Sequence, residues 1–330
     1  MLRVLDELAA DNVAICVDEG GRLRGTVTDG DVRRGMLSGI ELSAPIERFV
    51  NRSPSVLRAG EYTTRDVREV RERDLGIVPI VDGAGVVTDC INFRYRRGYV
   101  PVHAVLMAGG LGTRLRPLTL DTPKPMLEVG GKPLLEHNID RLATYGVTHV
   151  SVSVNYLAEQ IVDYFGDGSA KGISIDYLRE GKPLGTVGSL GLRDGYTEEI
   201  LLVMNGDLLT TVDYEAFFLR HLDTLADLTV GAVPYRVNVP FGVLDTEGDE
   251  VVAVSEKPTY DYLTNAGIYL FDASLLSHLP PAERYDATDL IASAKTDGRR
   301  VGYYPIAAYW LDIGRPADFA RAQADVRQLS

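Results

Sequence analysis

At 330 residues the chain is too long for one small module and is expected to form two domains. Apolar residues make up 45 % and charged residues 25 %, a globular balance that excludes a disordered, collagenous or coiled-coil chain. Lys and Arg number 34 against 47 Asp and Glu, a net charge of −13, so a nucleic-acid binder is excluded and any anionic substrate must be received by local basic groups. Cys16 and Cys90 sit in apolar runs with no Cys or His partner at metal spacing, and read as buried thiols of a reducing compartment. No apolar run approaches the roughly 18 residues of a membrane span. The N-terminus, with Arg3, Asp6 and Glu7, has no apolar leader core, so a cytoplasmic protein with no membrane association is expected.

The first hundred residues contain a repeat. Val13, Val17, Asp18, Gly21, Leu23 and Val27 match Ile77, Val81, Asp82, Gly85, Val87 and Ile91 at an offset of 64. Each copy reads as an amphipathic helix (Leu5, Leu8 and Ala9 in the first, Val67 and Val70 in the second), a strand ending in Val-Asp, a glycine turn and a second strand. Neither copy can bury its apolar face alone, so the two are expected to pack together. With the string Gly25-Thr-Val-Thr-Asp-Gly-Asp31, this segment resembles a CBS-domain pair over residues 1–98, its first copy short at the N-terminus. The resemblance implies a regulatory or dimerising module. Thr28 would approach the phosphate and Asp31 the ribose hydroxyls of an adenine nucleotide. Asp89, Asn92 and Tyr95 replace Gly25, Thr28 and Asp31 in the second copy, which leaves one nucleotide site at most. A packing module without ligand is the alternative. Arg94, Arg96, Arg97 and Gly98 read as a polar junction, with a second domain over 101–330.

Val102–Met107 reads as a buried parallel strand, and Ala108-Gly-Gly-Leu-Gly-Thr-Arg114 follows it at once. Gly109, Gly110 and Gly112 let backbone approach a ligand and leave N–H groups for phosphate oxygens, Thr113 lies in the same turn, and Arg114 and Lys124 add charge. The spacing is neither Walker A nor the dinucleotide fingerprint. Further strands are expected at Val150–Val154, Ile173–Tyr177, Ile200–Met204, Leu228–Val233, Val251–Val254 and Ala266–Phe271, with helices such as Leu134–Tyr145 and Ala158–Phe165 between them. The alternation predicts an α/β fold with a mostly parallel sheet, and a ligand site at the carboxyl ends of its strands.

The string Leu106–Thr119, followed by Thr122-Pro-Lys-Pro-Met-Leu127, resembles the signature of sugar-1-phosphate nucleotidyltransferases over roughly residues 102–325. The resemblance implies a Rossmann-like mixed, mostly parallel sheet and Mg²⁺-dependent transfer of a nucleotidyl group from an NTP to a sugar-1-phosphate, with release of pyrophosphate. Asp207, which alone reads as a turn residue, and Asp312, which alone reads as a helix cap, match the family's metal ligands. Arg114 and Lys124 match residues that steady the phosphates. The family holds base and ribose at the segment containing Glu180, Gly185 and Thr186. A carboxylate there suits the adjacent N1–H and N2 donors of guanine and favours GTP, while Gly185 and Thr186 are expected to open a helix. Glu256 and Asn265 match contacts to sugar hydroxyls, Lys257 the contact to the sugar phosphate, and Gly267 a close backbone approach to the ring. Asp286, Thr288 and Asp289 read only as a helix start.

The combination with a CBS pair is similar to guanylyltransferases of cell-surface sugars, such as the glucosamine-1-phosphate enzymes of legionaminic-acid synthesis. Mannose- or heptose-1-phosphate guanylyltransferases, relatives using UTP, CTP or dTTP, and a catalytically weak nucleotide sensor are the alternatives. A homo-oligomer, dimer or higher, is expected because CBS pairs commonly associate.

Overall fold

A computed structural model describes residues 13–73 and 75–329. The helix expected at Leu5, Leu8 and Ala9 lies outside the described residues. The chain divides into two compact units, one running to Val100 and including Thr144–Gly146, the other comprising Pro101–Ala143 and the chain from Val147 onward.

In the first unit β1 (Val13–Val17) and β2 (Leu23–Thr28) form an antiparallel hairpin that leads into α1 (Asp29–Leu37). β3 (Leu57–Arg58) is followed by α2 (Thr64–Glu72), β4 (Ile77–Val81) and β5 (Val87–Asn92), in the sheet order β3-β4-β5. The 64-residue offset holds at every boundary of the two hairpins. Val13 pairs with Thr28 as Ile77 pairs with Asn92, and the register shifts between Cys16 and Val17 as it does between Ile80 and Val81. The hairpins meet at a bridge between Arg22 and Val86. There the Leu23 N–H donates to the Gly85 carbonyl at 2.9 Å and the Val87 N–H to the Gly21 carbonyl at 3.0 Å. Each bond is the image of the other under the offset, so a local two-fold relates the copies. Cys16 is half-buried and Cys90 is exposed, contrary to the expectation of two buried thiols. The reason is that β5 is an edge strand that buries only Ile91.

Thr28 and Asp31 are engaged with each other. Thr28 caps α1: its Oγ1 accepts from the Asp31 N–H at 3.1 Å, and Asp31 Oδ2 accepts from the Thr28 N–H at 2.8 Å, a capping box. Arg34 donates to the other Asp31 oxygen at 2.6 Å. Gly25 is required by packing, because a Cβ there would stand 2.2 Å from the Asn51 carbonyl oxygen.

The second unit begins with β6 (His103–Met107), the short strands β7 (Glu128–Val129) and β8 (Lys132–Pro133), α3 (Leu134–Thr144), β9 (His149–Val154), α4 (Ala158–Phe165) and β10 (Ser174–Arg179). β11 (Ile200–Asn205), β12 (Leu208–Thr210), α5 (Tyr214–Asp223), β13 (Leu228–Asn238), β14 (Val243–Glu247) and β15 (Glu250–Ser255) follow. β16 (Thr259–Asp272), α6 (Ala287–Thr296), β17 (Val301–Pro305), β18 (Trp310–Asp312) and α7 (Pro316–Asp325) complete it. Seven strands form one sheet in the order β10-β9-β6-β11-β16-β13-β17. Only β16 runs against the others. The α/β class and mostly parallel sheet are therefore present.

The central strands explain the core. Ala104, Val105, Leu106 and the run Leu201–Met204 are fully buried, so both faces of the sheet are covered. Each such side chain contributes roughly 1.5–3 kcal/mol on leaving water. At the amino ends of the strands His103 is buried between Ser151 Oγ at 2.8 Å and Thr197 Oγ1 at 2.9 Å. Ser151 donates to Asp176 at 2.7 Å, so β6, β9 and β10 are laced together at that end. Burial, reinforced by the Arg193 charge, pushes the His103 imidazole down to about 4.

Candidate active site

The carboxyl ends of four neighbouring strands supply one site. β6 delivers the glycine loop, β10 delivers Glu180, and β11 delivers Asn205 and Asp207, while Asn155 at the end of β9 backs Gly109 from outside the cavity. A cavity of about 550 Å³ opens there, lined by Gly109, Gly110, Arg114, Lys124, Glu180 and Asp207 among others. A second hollow of about 370 Å³ runs along Gly109–Leu115 to Lys124, Asp207 and Gly314.

The glycine loop is shaped for a ligand. Among the described residues, Gly109, Gly110, Leu111 and Gly112 donate no backbone hydrogen bond within the chain. Gly112 has φ +60° and a Cβ on it would press on Thr119 and Lys124. A Cβ on Gly109 would come within 2.8 Å of Glu180 Oε1, whereas one on Gly110 would meet nothing within 4 Å. Gly109 thus serves the protein's own packing, and Gly110 faces the open cavity. Thr113 opens a 3-10 turn through Leu115 and lines the second hollow.

Asp207 and Asp312 are 105 positions apart in sequence and are joined by the β12/β18 ladder, in which Leu208 pairs with Asp312. Leu209, Leu311 and Ile313 point into an apolar cluster with Leu115, Leu127 and Val129, which fixes the ladder from behind. Lys124 is buried between the carboxylates. It is ion-paired to Asp207 and lies 3.9 Å from Asp312 Oδ1. One Oδ1 on each aspartate is buried without a hydrogen-bond partner. Burial and the neighbouring Asp207 charge hold Asp312 above the usual carboxylate range, against the pull of Lys124 and Arg114. Asp207 lines both cavities and Asp312 neither, and a pair of carboxylates each with an unsatisfied oxygen is a donor set that fits a hard divalent cation. No group of three or more His, Cys, Asp or Glu side chains is placed to hold a metal by itself among the described residues. Arg114 is exposed on the cavity wall, packed beside Gly314.

At the other end of the cavity the segment 180–188 is fastened from several sides. Glu180 accepts from the Ser153 hydroxyl at 2.5 Å and from the Leu184 N–H at 2.8 Å, so both oxygens already have a partner. Gly185 and Thr186 do not open an α-helix. They form a turn, and a short 3-10 helix follows at Gly188–Leu192, a stretch that Gly188 and Gly191 keep from continuing as an α-helix. The N–H groups that such a helix would have offered are taken: Thr186 N–H donates to Asp286 Oδ1 at 3.1 Å, and Val187 and Gly188 N–H donate to the Tyr285 carbonyl. Asp286 and Arg284 line the cavity, and sequence reasoning missed both. No sequence signal separates Asp286 from an ordinary helix cap, the role it also fills on α6.

Of the residues matched to sugar contacts, Glu256, Lys257 and Asn265 are exposed and line neither cavity. Glu256 and Lys257 sit in the turn between β15 and β16, with Lys257 at φ +46°. Asn265 Oδ1 accepts from the Gly267 N–H at 2.9 Å. Gly267 is buried with φ +69°, and the place of a Cβ is filled by the Asn205 amide at 2.5 Å, so this glycine gives room to a protein side chain. Trp310, the only tryptophan, donates to the Ala266 carbonyl at 2.9 Å and ties this segment to the strand that carries Asp312.

Comparison with known proteins agrees with this geometry. The nucleotidyl transferase family matches residues 103–328. The mannose-1-phosphate guanylyltransferase of Mycobacterium tuberculosis is 39 % identical over 234 residues, 68 % of this chain and 64 % of that protein. The chain thus spans just under two thirds of that relative's length. The D-glycero-alpha-D-manno-heptose 1-phosphate guanylyltransferase of Aneurinibacillus thermoaerophilus is 33 % identical over 230 residues, 68 % of this chain and 99 % of that protein. The crystal structure of HddC from Yersinia pseudotuberculosis complexed with GMP-PN superposes with a TM-score of 0.54 at 28 % identity, covering 68 % of this chain and 99 % of that one.

Proposed function

The chain belongs to the nucleotidyl transferase family, and from that premise we propose that it transfers a nucleotidyl group from GTP to a sugar-1-phosphate and releases pyrophosphate. The observation that carries this reading is the buried Lys124 between Asp207 and Asp312, directly beneath a glycine loop with unused N–H groups. The relatives named as guanylyltransferases support GTP and point to mannose- or heptose-1-phosphate as acceptors to test first. Glucosamine-1-phosphate remains the acceptor that the pairing with a CBS-like repeat favours.

The chemistry asks for positioning and charge neutralisation rather than covalent catalysis. An oxygen of the sugar phosphate is already anionic near neutral pH and attacks the α-phosphorus, and the α–β bond breaks in line. Gly109–Gly112 N–H groups receive the phosphates. Arg114 offsets charge on the departing pyrophosphate. Lys124 steadies the phosphates and the two aspartates. Asp207 and Asp312 would hold Mg²⁺, which when bound neutralises charge on the nucleotide phosphates. Lys257 orients the attacking phosphate, and Glu256 and Asn265 receive sugar hydroxyls.

For the first unit, the local two-fold and the repeated hairpin register support a CBS-type tandem. Binding of an adenine nucleotide near Thr28 and Asp31 would require Arg34 to yield its bond to Asp31. The test of the main reading is pyrophosphate release with each NTP against mannose-, heptose-, glucosamine- and glucose-1-phosphate. Turnover with GTP and one of these sugars is expected, and Asp207→Asn should lower kcat at least about 10²-fold. Turnover with another NTP and not GTP would overturn the base assignment. Absence of NTP binding would overturn the whole reading.

A further inference from the structure

The nucleotide reading of the cavity leaves one lining carboxylate without a role. Asp286 comes from the segment before α6, a hundred residues after the loop it touches. Its Oδ1 accepts from the Thr186 N–H at 3.1 Å and lies 3.4 Å from Thr186 Oγ1. Its Oδ2 accepts from Arg284 Nη2 at 3.0 Å and Nε at 3.2 Å, and Arg284 lines the same cavity. Tyr285, next to it, donates its N–H to the Leu184 carbonyl at 2.8 Å and receives the Val187 and Gly188 N–H groups at 3.0 and 3.1 Å. Segment 284–286 is therefore zipped along loop 184–188. Gly185 reports how close the two run: a Cβ there would stand 2.5 Å from Asp286 Oδ1 and 2.8 Å from the Tyr285 carbonyl oxygen, at φ +80°.

Resting on the reading above, we propose that Asp286 is a positioning residue for the nucleotide half of the reaction. It fixes the turn at Gly185–Thr186 with one oxygen and aims the Arg284 guanidinium along the cavity wall with the other. Glu180 fixes the same loop from the opposite side, through the Leu184 N–H. The loop is thus clamped between two carboxylates before any nucleotide arrives. Asp286 acts on nucleotide affinity and has no part in the bond-making step.

The test uses the full chain with GTP and mannose-1-phosphate, and reads GTP binding independently of turnover by the fluorescence of Trp310. Asp286→Ala should raise the Kd and KM for GTP about ten- to a hundred-fold, the loss expected for a hydrogen bond to a charged acceptor. The kcat and the KM for the sugar phosphate should stay within about three-fold, below the tenfold that 1.4 kcal/mol represents. Asp286→Asn keeps an oxygen acceptor for Thr186 and should recover most of the affinity. Gly185→Ala presses on the same contact from the loop side and should raise the same KM, which keeps the proposal testable should Asp286→Ala fold poorly. Asp289→Ala removes the acceptor of the Asp286 N–H at the helix cap, so it should lower Tm and leave GTP affinity unchanged. An Asp289→Ala chain that loses GTP affinity as far as Asp286→Ala would reduce Asp286 to a helix cap. An Asp286→Ala chain with unchanged GTP affinity would also overturn its role while leaving the nucleotide site in place. A wild-type chain that binds no GTP would overturn both.

Discussion

Loop 180–188 has the N–H groups of Leu184, Thr186, Val187 and Gly188 bonded to Glu180, Asp286 and Tyr285. The segment from Glu256 to Gly267 is built differently. Glu256, Lys257 and Asn265 are exposed, and β15 ahead of them shows Val251, Val252 and Val254 to solvent at 54–62 % exposure. The first end of the cavity is organised by the protein alone. The second segment lies outside both cavities as a projecting pair of hairpins, because β16 runs antiparallel and its amino-terminal half, paired with the far half of β13, reaches beyond the carboxyl ends of the sheet. A prearranged end loses less freedom when its ligand binds, and an open end draws on the ligand's contacts to become ordered. If the proposed roles hold, nucleotide affinity would rest on the prearranged loop and sugar affinity on contacts made to the open segment.

The largest effect should come from the cavity itself. Lys124→Met removes the cation between Asp207 and Asp312 and should lower kcat by about 10²–10³-fold, measured as pyrophosphate release at saturating substrates. A fall confined to KM would place Lys124 in binding alone.

A second measurement isolates the prearranged end. His103, Ser151 and Asp176 lace the amino ends of the strands whose carboxyl ends carry Gly109, Asn155 and Glu180. The folded imidazole titrates at about 4, below its ordinary 6.5. The unfolded chain therefore binds the proton first. The contribution is fully present above about pH 6.5 and is lost as pH falls toward 4, by up to about 3 kcal/mol. Denaturant melts at pH 7 and pH 5 should show about 2 kcal/mol of that loss, and His103→Gln should flatten it. Equal slopes in the two chains would remove His103 from the account.

The smallest of the three tests the open end. Lys257→Ala should raise the KM for the sugar phosphate about ten-fold and leave the KM for GTP unchanged, since Lys257 lies outside the nucleotide cavity. A shift in the GTP value would show that the arm already contacts the nucleotide and would blur the contrast between the ends.

The place of the glycine loop at a strand end was legible because it follows an apolar run at once, whereas Asp207 and Asp312 alone read as a turn residue and a helix cap and stood out only through the family resemblance. Strands such as Ile200–Met204 were legible because they are apolar throughout and buried over Leu201–Met204. The arm was not legible beyond Val251–Val254. Tyr235, Arg236, Tyr260, Asp261 and Tyr262 alternate without a core to face, so their sequence carries no burial period. The direction of β16 depends on pairing with β11 and β13, which no local pattern records. The Gly185–Thr186 segment was misread as a helix start because its N–H groups are claimed by Tyr285 and Asp286, a hundred residues away. Asp286 itself was hidden by a correct reading: it does begin a helix, and a capping pattern looks the same whether or not the carboxylate also reaches across to another loop.

The β12/β18 ladder also sets an order of events during synthesis. Until Trp310–Asp312 has left the ribosome, β12 beside Asp207 has no partner strand, and the nascent chain carries the glycine loop and Asp207 without Asp312. The two aspartates are brought together only by β18, which follows every strand of the seven-stranded sheet in the chain. On the reading proposed above, a chain that stops short of β18 would present the glycine loop and Asp207 without Asp312.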